Sequence, residues 1–224
     1  MTSVFALRVA VVVPAFREEG RIAQVVRDAK RFVDTVIVID DCSPDETSAQ
    51  AAAAGAIVIR HEVNKGKGAG LKTAFTRLAE MGFSHGITMD GDGQHDAEQI
   101  PLFLKALEQP GVVLVAGNRF SNPRGMPLVR RMVNAALSWL ISRICRCPIP
   151  DSQCGYRAVA VANPAVLAAK SEHYDYETEV LILTARAGGK ITSVPVRTIY
   201  QGQASKIRPI RDTLRFFKLL RRIS

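Results

Sequence analysis

Long apolar runs are missing from this chain of 224 residues. No stretch approaches the roughly 18 to 20 apolar residues needed to span a bilayer, so an integral membrane helix is not expected. The longest helix-like apolar segment, residues 135–144, is interrupted by Ser138, Ser142 and Arg143. Residues 1–7 lack the basic start of a secretory leader, and the apolar run that follows is only strand-sized. Cysteine is scarce too. Cys42, Cys145, Cys147 and Cys154 form no Cys-x-x-Cys unit, and no histidine pair stands at zinc-ligand spacing. Reduced, buried thiols of a cytoplasmic protein are therefore expected rather than a disulfide framework. Aromatic residues are few and do not interleave with basic ones, which argues against stacking on single-stranded nucleic acid. Acidic residues are outnumbered, 21 against 30 lysines and arginines, for a net charge of +9. That balance favours an anionic partner, a phosphorylated substrate or an anionic lipid surface, with nucleic acid set aside.

What is present is a core and a rhythm. Hydrophobic residues make up 47% of the chain and charged residues 23%, ordinary for one packed domain. Residues 8–14, 35–40, 56–60, 84–90 and 112–116 are short β-branched or apolar runs, as buried parallel strands require. Between them, residues 18–32, the Ala-rich stretch ending at Gly55, residues 66–81 and residues 97–108 carry helical spacing. Ser43-Pro44 reads as a helix N-cap followed by proline at the first helical position. Alternating strands and helices predict an α/β, Rossmann-like, mostly parallel sheet, with ligands beyond the carboxyl ends of the strands. The second half is less regular. Helices are expected at 128–144, with Val129, Val133, Leu137, Leu140, Ile141 and Ile144 as the apolar face, at 176–187, and at 212–223, with a strand at 190–200.

The strand ends deliver ionic groups to one edge. Asp90-Gly91-Asp92-Gly93-Gln94-His95 is the sharpest signal: two carboxylates one residue apart can present hard oxygens to Mg²⁺ or Mn²⁺, yet the loop lacks the rest of an EF-hand. Asp40-Asp41 could accept from a nucleobase or ribose, or cap a helix. Asn64-Lys65-Gly66-Lys67-Gly68 fits neither the Walker nor the dinucleotide pattern. Its glycines could pack a helix end closely while a lysine stands near anionic substrate.

Five segments in register, residues 12–19, 38–43, 64–68, 90–94 and 117–119, resemble family-2 glycosyltransferases of the GT-A fold, most of all their polyprenyl-phosphate, dolichol-phosphate mannose synthase-like branch. The resemblance covers nearly the whole chain. It implies one domain, with residues 1–117 as the nucleotide-sugar half and residues 118–224 as the acceptor half ending in a basic helix. It implies that Pro14, Phe16, Glu18, Asp40, Asp41 and Lys65 line the nucleotide-sugar pocket, and that Asp90, Asp92 and Gln94 hold metal and diphosphate. Arg119, Arg130, Arg131, Asn134 and Arg157 would receive the acceptor phosphate. Tyr200, Ser205 and Lys206 would sit on a loop closing over the donor, Lys206 neutralising developing charge. Asp151 resembles the acceptor-side aspartate, as a general base or as the group that orients Arg157 or Arg119. Glu177 resembles a position near the site or is a solvated helix charge.

The expected activity is inverting transfer of a hexose from a nucleotide-diphosphate sugar, GDP-mannose favoured, to a polyprenyl phosphate. UDP-glucose or a UDP-N-acetylhexosamine is the alternative donor. The protein is expected to be peripheral on the cytoplasmic membrane face, bound to anionic lipid, with a separate membrane protein as a further partner. The C-terminal segment either lies in the interface or packs on the core. Rivals from other classes are a nucleotidyltransferase, which would want a clearer triphosphate loop, and a non-catalytic nucleotide-sugar or membrane-binding module.

Overall fold

The computed structural model describes residues 7–123, 125–199 and 209–223. Tyr200, Ser205 and Lys206, expected on the closing loop, lie outside these residues. In chain order the elements are β1 (Val9–Ala15), α1 (Ile22–Lys30), β2 (Val36–Asp40), α2 (Thr47–Ala53), β3 (Ile57–Arg60), α3 (Lys67–Glu80) and β4 (His85–Thr88). A 3-10 turn, Ala97–Gln99, then leads into α4 (Ile100–Leu107) and β5 (Val112–Asn118). A second turn, Arg119–Ser121, precedes α5 (Leu128–Cys145), β6 (Arg157–Ala160), α6 (Ala165–Ala168), α7 (Asp175–Arg186), β7 (Lys190–Pro195) and α8 (Pro209–Ile223).

The central strands are apolar at every position because both faces of the sheet are covered. In β1, Val11 and Val13 point into a core shared with α1 and α4, through Ile22, Val26, Ile100 and Phe103. Their neighbours Ala10 and Val12 point into a second core with α3, α5, α7 and α8. Alternation along a strand, with helices on both sides, thus reads in sequence as an unbroken β-branched run. Each fully buried valine, leucine or isoleucine here contributes roughly 1.5 to 3 kcal/mol of transfer free energy.

The strand order is β3-β2-β1-β4-β6-β5-β7. Six strands follow the expected direction; β6 runs antiparallel between β4 and β5, with Arg157 opposite both Thr88 and Ala116. The sheet is mostly parallel as expected, and the one reversed strand falls in the less regular second half. After β5 the chain makes helix α5 and re-enters the sheet from the same edge at which β4 and β5 end. Residues 151–156 therefore descend past the acidic end of β4, and the site gains a wall that alternating units alone would not supply.

Two local expectations also change. Helix α2 begins at Thr47, not after a Ser43 cap. The Ser43 hydroxyl instead accepts the Arg17 amide, and the Ser43 amide donates to Asp40. In α5 the docked face is Ser138, Ile141 and Cys145, with Leu137, Leu140 and Ile144 of the expected apolar face also packed against the second core. The Ser138 hydroxyl accepts the Ser152 amide at 2.9 Å, and the Ser142 hydroxyl bonds both the amide and the carbonyl of Ile149. The serines that interrupt the apolar pattern are thus what fasten α5 to the 149–152 segment. Val129 and Val133, at the first turns of that apolar face, are exposed.

Candidate functional site

Two acidic clusters lie at the carboxyl edge. At the end of β2, Asp40 is fully buried; its carboxylate accepts the Ser43 amide at 2.9 Å and the Ser48 hydroxyl. Asp41 accepts the Lys65 amide at 2.8 Å, the Gly66 amide at 2.7 Å and the His61 ring at 2.8 Å. These carboxylates brace the 61–66 loop. Both were expected to face a nucleotide; as built, their oxygens are committed to the protein. Lys65, expected in the same pocket, is exposed, and its backbone is what Asp41 holds.

The second cluster follows β4. Asp90 lies two residues past the strand and is half-buried. Its carboxylate accepts from Lys67 Nζ at 2.6 Å, and the same ammonium lies 3.0 Å from Glu177 Oε2. The Asp90 amide donates to His95 Nδ1 at 3.0 Å. Since an amide can only donate, Nδ1 carries no proton and the neutral ring is protonated on Nε2, which lies 3.8 Å from Asp90 Oδ2. His95 is stacked on Tyr156, ring centroids 4.8 Å apart, and the Tyr156 hydroxyl donates to the Asp96 carbonyl. Asp92 accepts the Gln94 amide at 2.9 Å, which closes the turn. Glu18 is buried against Gly91, between the two aspartates, where any side chain at 91 would meet its Cγ at 3.1 Å.

Burial by itself would raise the Asp90 carboxyl, but the charge and hydrogen bond of Lys67, with the charge of Arg119, outweigh it and hold it down at about 2. Burial likewise opposes a charged Lys67, yet Asp90 and Glu177 push the ammonium above its ordinary value. Burial pulls His95 below the usual histidine range against the pull of Asp90. The cluster at neutral pH is thus an ionised carboxylate, an ammonium and a neutral imidazole.

Lys67 reaches this place because glycines surround it. Gly66 has φ +97°, and a Cβ there would fall 2.2 Å from His173 Nδ1. A Cβ on Gly68 would fall 2.6 Å from that of Tyr176. The loop therefore presses against residues 172–176, with the Ala69 amide on the Glu172 carbonyl, and delivers Lys67 beside the first turn of α7. A Cβ on Gly155 would meet Lys67 Nζ at 3.0 Å, Glu177 Oε1 at 3.1 Å and Asp90 Oδ2 at 3.4 Å. Three charged groups from three elements close over that one glycine. The Thr88 hydroxyl fixes it by donating to the Gly155 carbonyl at 2.7 Å.

Arg119, directly after β5, is buried and held by Asp151: Nε to Oδ2 at 2.7 Å, Nη2 to Oδ1 at 2.9 Å, and its amide to Oδ2 at 3.2 Å. Asp151 also accepts the Gln153 amide. With both oxygens engaged, Asp151 orients Arg119, the second of the two readings of this residue. Arg157 is corrected too. It is buried, and its guanidinium donates to the carbonyls of Cys154, Ser152 and Glu177, so it supports the loop rather than an acceptor.

Arg130, Arg131 and Asn134 stand on the first half of α5, with Arg131 exposed and the other two half-buried. Pro14 is half-buried at the end of β1 near Gly70, and Phe16 lies under the Arg17 guanidinium at 5.2 Å. Gln94 is half-buried, its carbonyl accepting the Ile199 amide. Sequence reasoning placed Lys65 in the site and left Lys67 out. A lysine flanked by glycines, Gly66-Lys67-Gly68, was the available signal.

Asp90 and Asp92, with Gln94 next to them, offer hard oxygens suited to Mg²⁺ or Mn²⁺, and His95 neighbours them. Among the described residues, no group of three His, Cys, Asp or Glu side chains converges as a ready metal centre. The donor set fits a cation that takes the rest of its oxygens from substrate phosphates and water.

Residues 10–152 match the family model described as glycosyl transferase family 2. The chain is similar to the UDP-N-acetylglucosamine–dolichyl-phosphate N-acetylglucosaminyltransferase of Methanococcus voltae, 30% identical over 84% of each chain. It is also similar to the undecaprenyl-phosphate mannosyltransferase of Micrococcus luteus, 29% identical over 85% of this chain and 83% of the other. Among solved structures, glucosyl-3-phosphoglycerate synthase from Mycobacterium tuberculosis, in complex with Mn²⁺, uridine diphosphate and phosphoglyceric acid, shares the fold with a TM-score of 0.71. That alignment is 23% identical and covers 95% of this chain and 75% of that one.

Proposed function

Because this chain belongs to glycosyl transferase family 2, we propose that it transfers a sugar from a nucleotide-diphosphate donor to a polyprenyl phosphate at a membrane surface. The observation that carries the reading is the meeting of two opposite sites on one edge. The carboxylates Asp90 and Asp92 suit a cation-bound diphosphate, and beside them a buried arginine, Arg119, is clamped by Asp151 and suited to a phosphate monoester. Arg119 is close enough for its charge to act on Asp90. The relatives' names supply the lipid acceptor and two different sugars, so the donors to test first are GDP-mannose and UDP-N-acetylglucosamine.

Each residue's work follows from its surroundings. Asp90, Asp92 and Gln94 would hold Mg²⁺ or Mn²⁺, and a bound cation would neutralise the charge that collects on the departing diphosphate. Arg119 receives the acceptor phosphate in a fixed orientation, because Asp151 has already spent the cost of ordering it. An oxygen of that phosphate attacks the sugar C1 from the side opposite the diphosphate, with inversion. The nucleophile is anionic at neutral pH and needs no base, which agrees with an Asp151 carboxylate wholly engaged by Arg119. Arg130, Arg131 and Asn134 extend the cationic and polar path along α5 toward the acceptor.

The membrane contact assigned here is α5. Leu128, Val129, Met132, Val133 and Trp139 are each between 52% and 75% exposed, and the helix contains no aspartate or glutamate. Apolar side chains beside uncompensated arginines suit an anionic bilayer surface. In helix α8 the described apolar residues Phe216, Leu219 and Ile223 are buried in the second core, with Leu220 packed against it. No helix among the described residues is long and apolar enough to cross a membrane.

The test is a transfer assay with short polyprenyl phosphate, Mn²⁺ and each labelled donor in turn. Label in the organic phase with one donor supports the reading and names the sugar. Donor binding by calorimetry without lipid-linked product from any donor overturns the acceptor.

A further inference from the structure

Lys67 occupies an unusual position: it is the counter-cation of the carboxylate that the proposed function assigns to a divalent metal. Its ammonium lies 2.6 Å from Asp90 Oδ1 and 3.0 Å from Glu177 Oε2, in a pocket floored by Gly155. The side chain is largely shielded from solvent, at 13% exposure. Glu177 Oε1 is buried without a hydrogen-bond partner. Glu177 therefore keeps an unfilled capacity for positive charge, and Lys67 has a second anchor to lean on when it lets go of Asp90.

Resting on the metal reading above, we propose that Lys67 is a resident cation that makes metal binding conditional on the donor. In the empty site Lys67 neutralises Asp90, and a divalent ion arriving alone must displace an ammonium already in hydrogen-bond contact. When a nucleoside diphosphate enters with the ion, its phosphate oxygens give Lys67 a new anionic partner while Glu177 keeps hold of it. Asp90 is then released to the metal. Metal and donor consequently bind as a cooperating pair, and by reciprocity each strengthens the other by the same factor. Charge balance accounts for the device: it gives the half-buried Asp90 carboxylate a contact counter-charge whenever the donor is absent. The glycines at 66, 68 and 155 follow from the same requirement, since side chains there would collide with residues 172–176 or with Lys67 itself.

The experiment measures Mn²⁺ affinity by the loss of the free-ion electron paramagnetic resonance signal, with the full chain, in the absence and presence of GDP or UDP. Wild-type protein is expected to bind Mn²⁺ weakly alone and much more tightly with one of the nucleotides. Lys67→Met is expected to bind Mn²⁺ alone about tenfold or more tighter than wild type and to lose a similar factor of nucleotide coupling. Glu177→Gln, a near-isosteric change, is expected to weaken binding of Mn²⁺ alone several-fold, because Lys67 then pairs only with Asp90.

Wild-type binding with nucleotide but unchanged Mn²⁺ affinity in Lys67→Met overturns this inference and leaves the metal reading standing. If Lys67→Met does not fold, as thermal melting would show, Glu177→Gln decides: an unchanged or tightened Mn²⁺ affinity overturns the inference. No Mn²⁺ binding by wild type even with both nucleotides removes the metal reading and this inference together.

Discussion

The two acidic clusters at the sheet edge are built from the same residue type at equivalent strand ends, yet their carboxylates are held in different ways. Asp41 is tied mainly by backbone amides, those of Lys65 and Gly66. Asp40 is tied by an amide and a hydroxyl from the residues that follow it. The Ser48 hydroxyl, the Arg60 guanidinium at 3.8 Å from Asp40 and the His61 ring on Asp41 are side-chain partners, but the backbone amides cannot leave without unfolding the loop. Asp90 is held by a lysine side chain on another element, and Asp92 accepts the Gln94 amide that closes its turn. A side-chain cation can be exchanged for a metal or a ligand; a backbone amide cannot. The nature of the partner, more than burial or position, separates bracing from chemistry.

This contrast can be broken or sharpened by substitution. The largest effect is expected at Asp92: Asp92→Ala should lower the transfer rate about a thousandfold or more while leaving the melting temperature nearly unchanged. A folded variant with normal turnover would show that the second cluster is also only a brace. Next is the clamp on the acceptor side. Asp151→Asn should reduce kcat/KM for the lipid phosphate on the order of a hundredfold, and it should cost about 2 to 4 kcal/mol of stability because a buried arginine loses its countercharge. Denaturant titration and acceptor kinetics separate the two.

At the first cluster the pattern should invert. Asp41→Asn is expected to cost about 1.5 to 3 kcal/mol in urea unfolding while the folded fraction keeps most of its activity. Loss of donor affinity without loss of stability would instead make Asp41 a ligand. A smaller change is expected from Met132→Ser with Val133→Ser on α5, about tenfold weaker sedimentation with anionic liposomes at unchanged stability. Retained binding would shift the membrane contact off this helix.

The smallest effect concerns pH. His85 and His95 both titrate below the ordinary histidine value because burial disfavours the charged ring. The unfolded chain therefore takes up protons first as pH falls through that range, and stability is lost on acidification. The urea midpoint should be lower at pH 5 than at pH 7, and His95→Gln should reduce the difference.

Much of this was legible in the sequence, and what was not has identifiable causes. Buried parallel strands announce themselves as β-branched runs, and Asp90-Gly-Asp92 stands out because glycines around carboxylates free the backbone. Reversal of β6 left no local mark, since four residues carry no direction. The apolar face of α5 was legible at Leu137, Leu140, Ile141 and Ile144, but periodicity shows that a helix has a face and not which neighbour takes it. There Ser138 and Ser142 hydrogen bond to a loop several residues downstream, a contact no helical pattern encodes. Lys67 was passed over because its partners lie 23 and 110 residues away, and only the packing of Gly66 and Gly68 against residues 172–176 brings them together.

The reversed strand also governs how the molecule can be made or divided. Among the described residues strand β6 alone links β4 to β5, so residues up to 118 do not complete this sheet. A ribosome must deliver residue 160 before β5 has a hydrogen-bonded neighbour, and β5 in turn must be seated before β7 can join. A gene cut at residue 117 would yield a piece whose last strand is an orphan, prone to pair with other chains. The two parts of the chain on either side of residue 117 are thus dovetailed, and their order of synthesis is not their order of assembly.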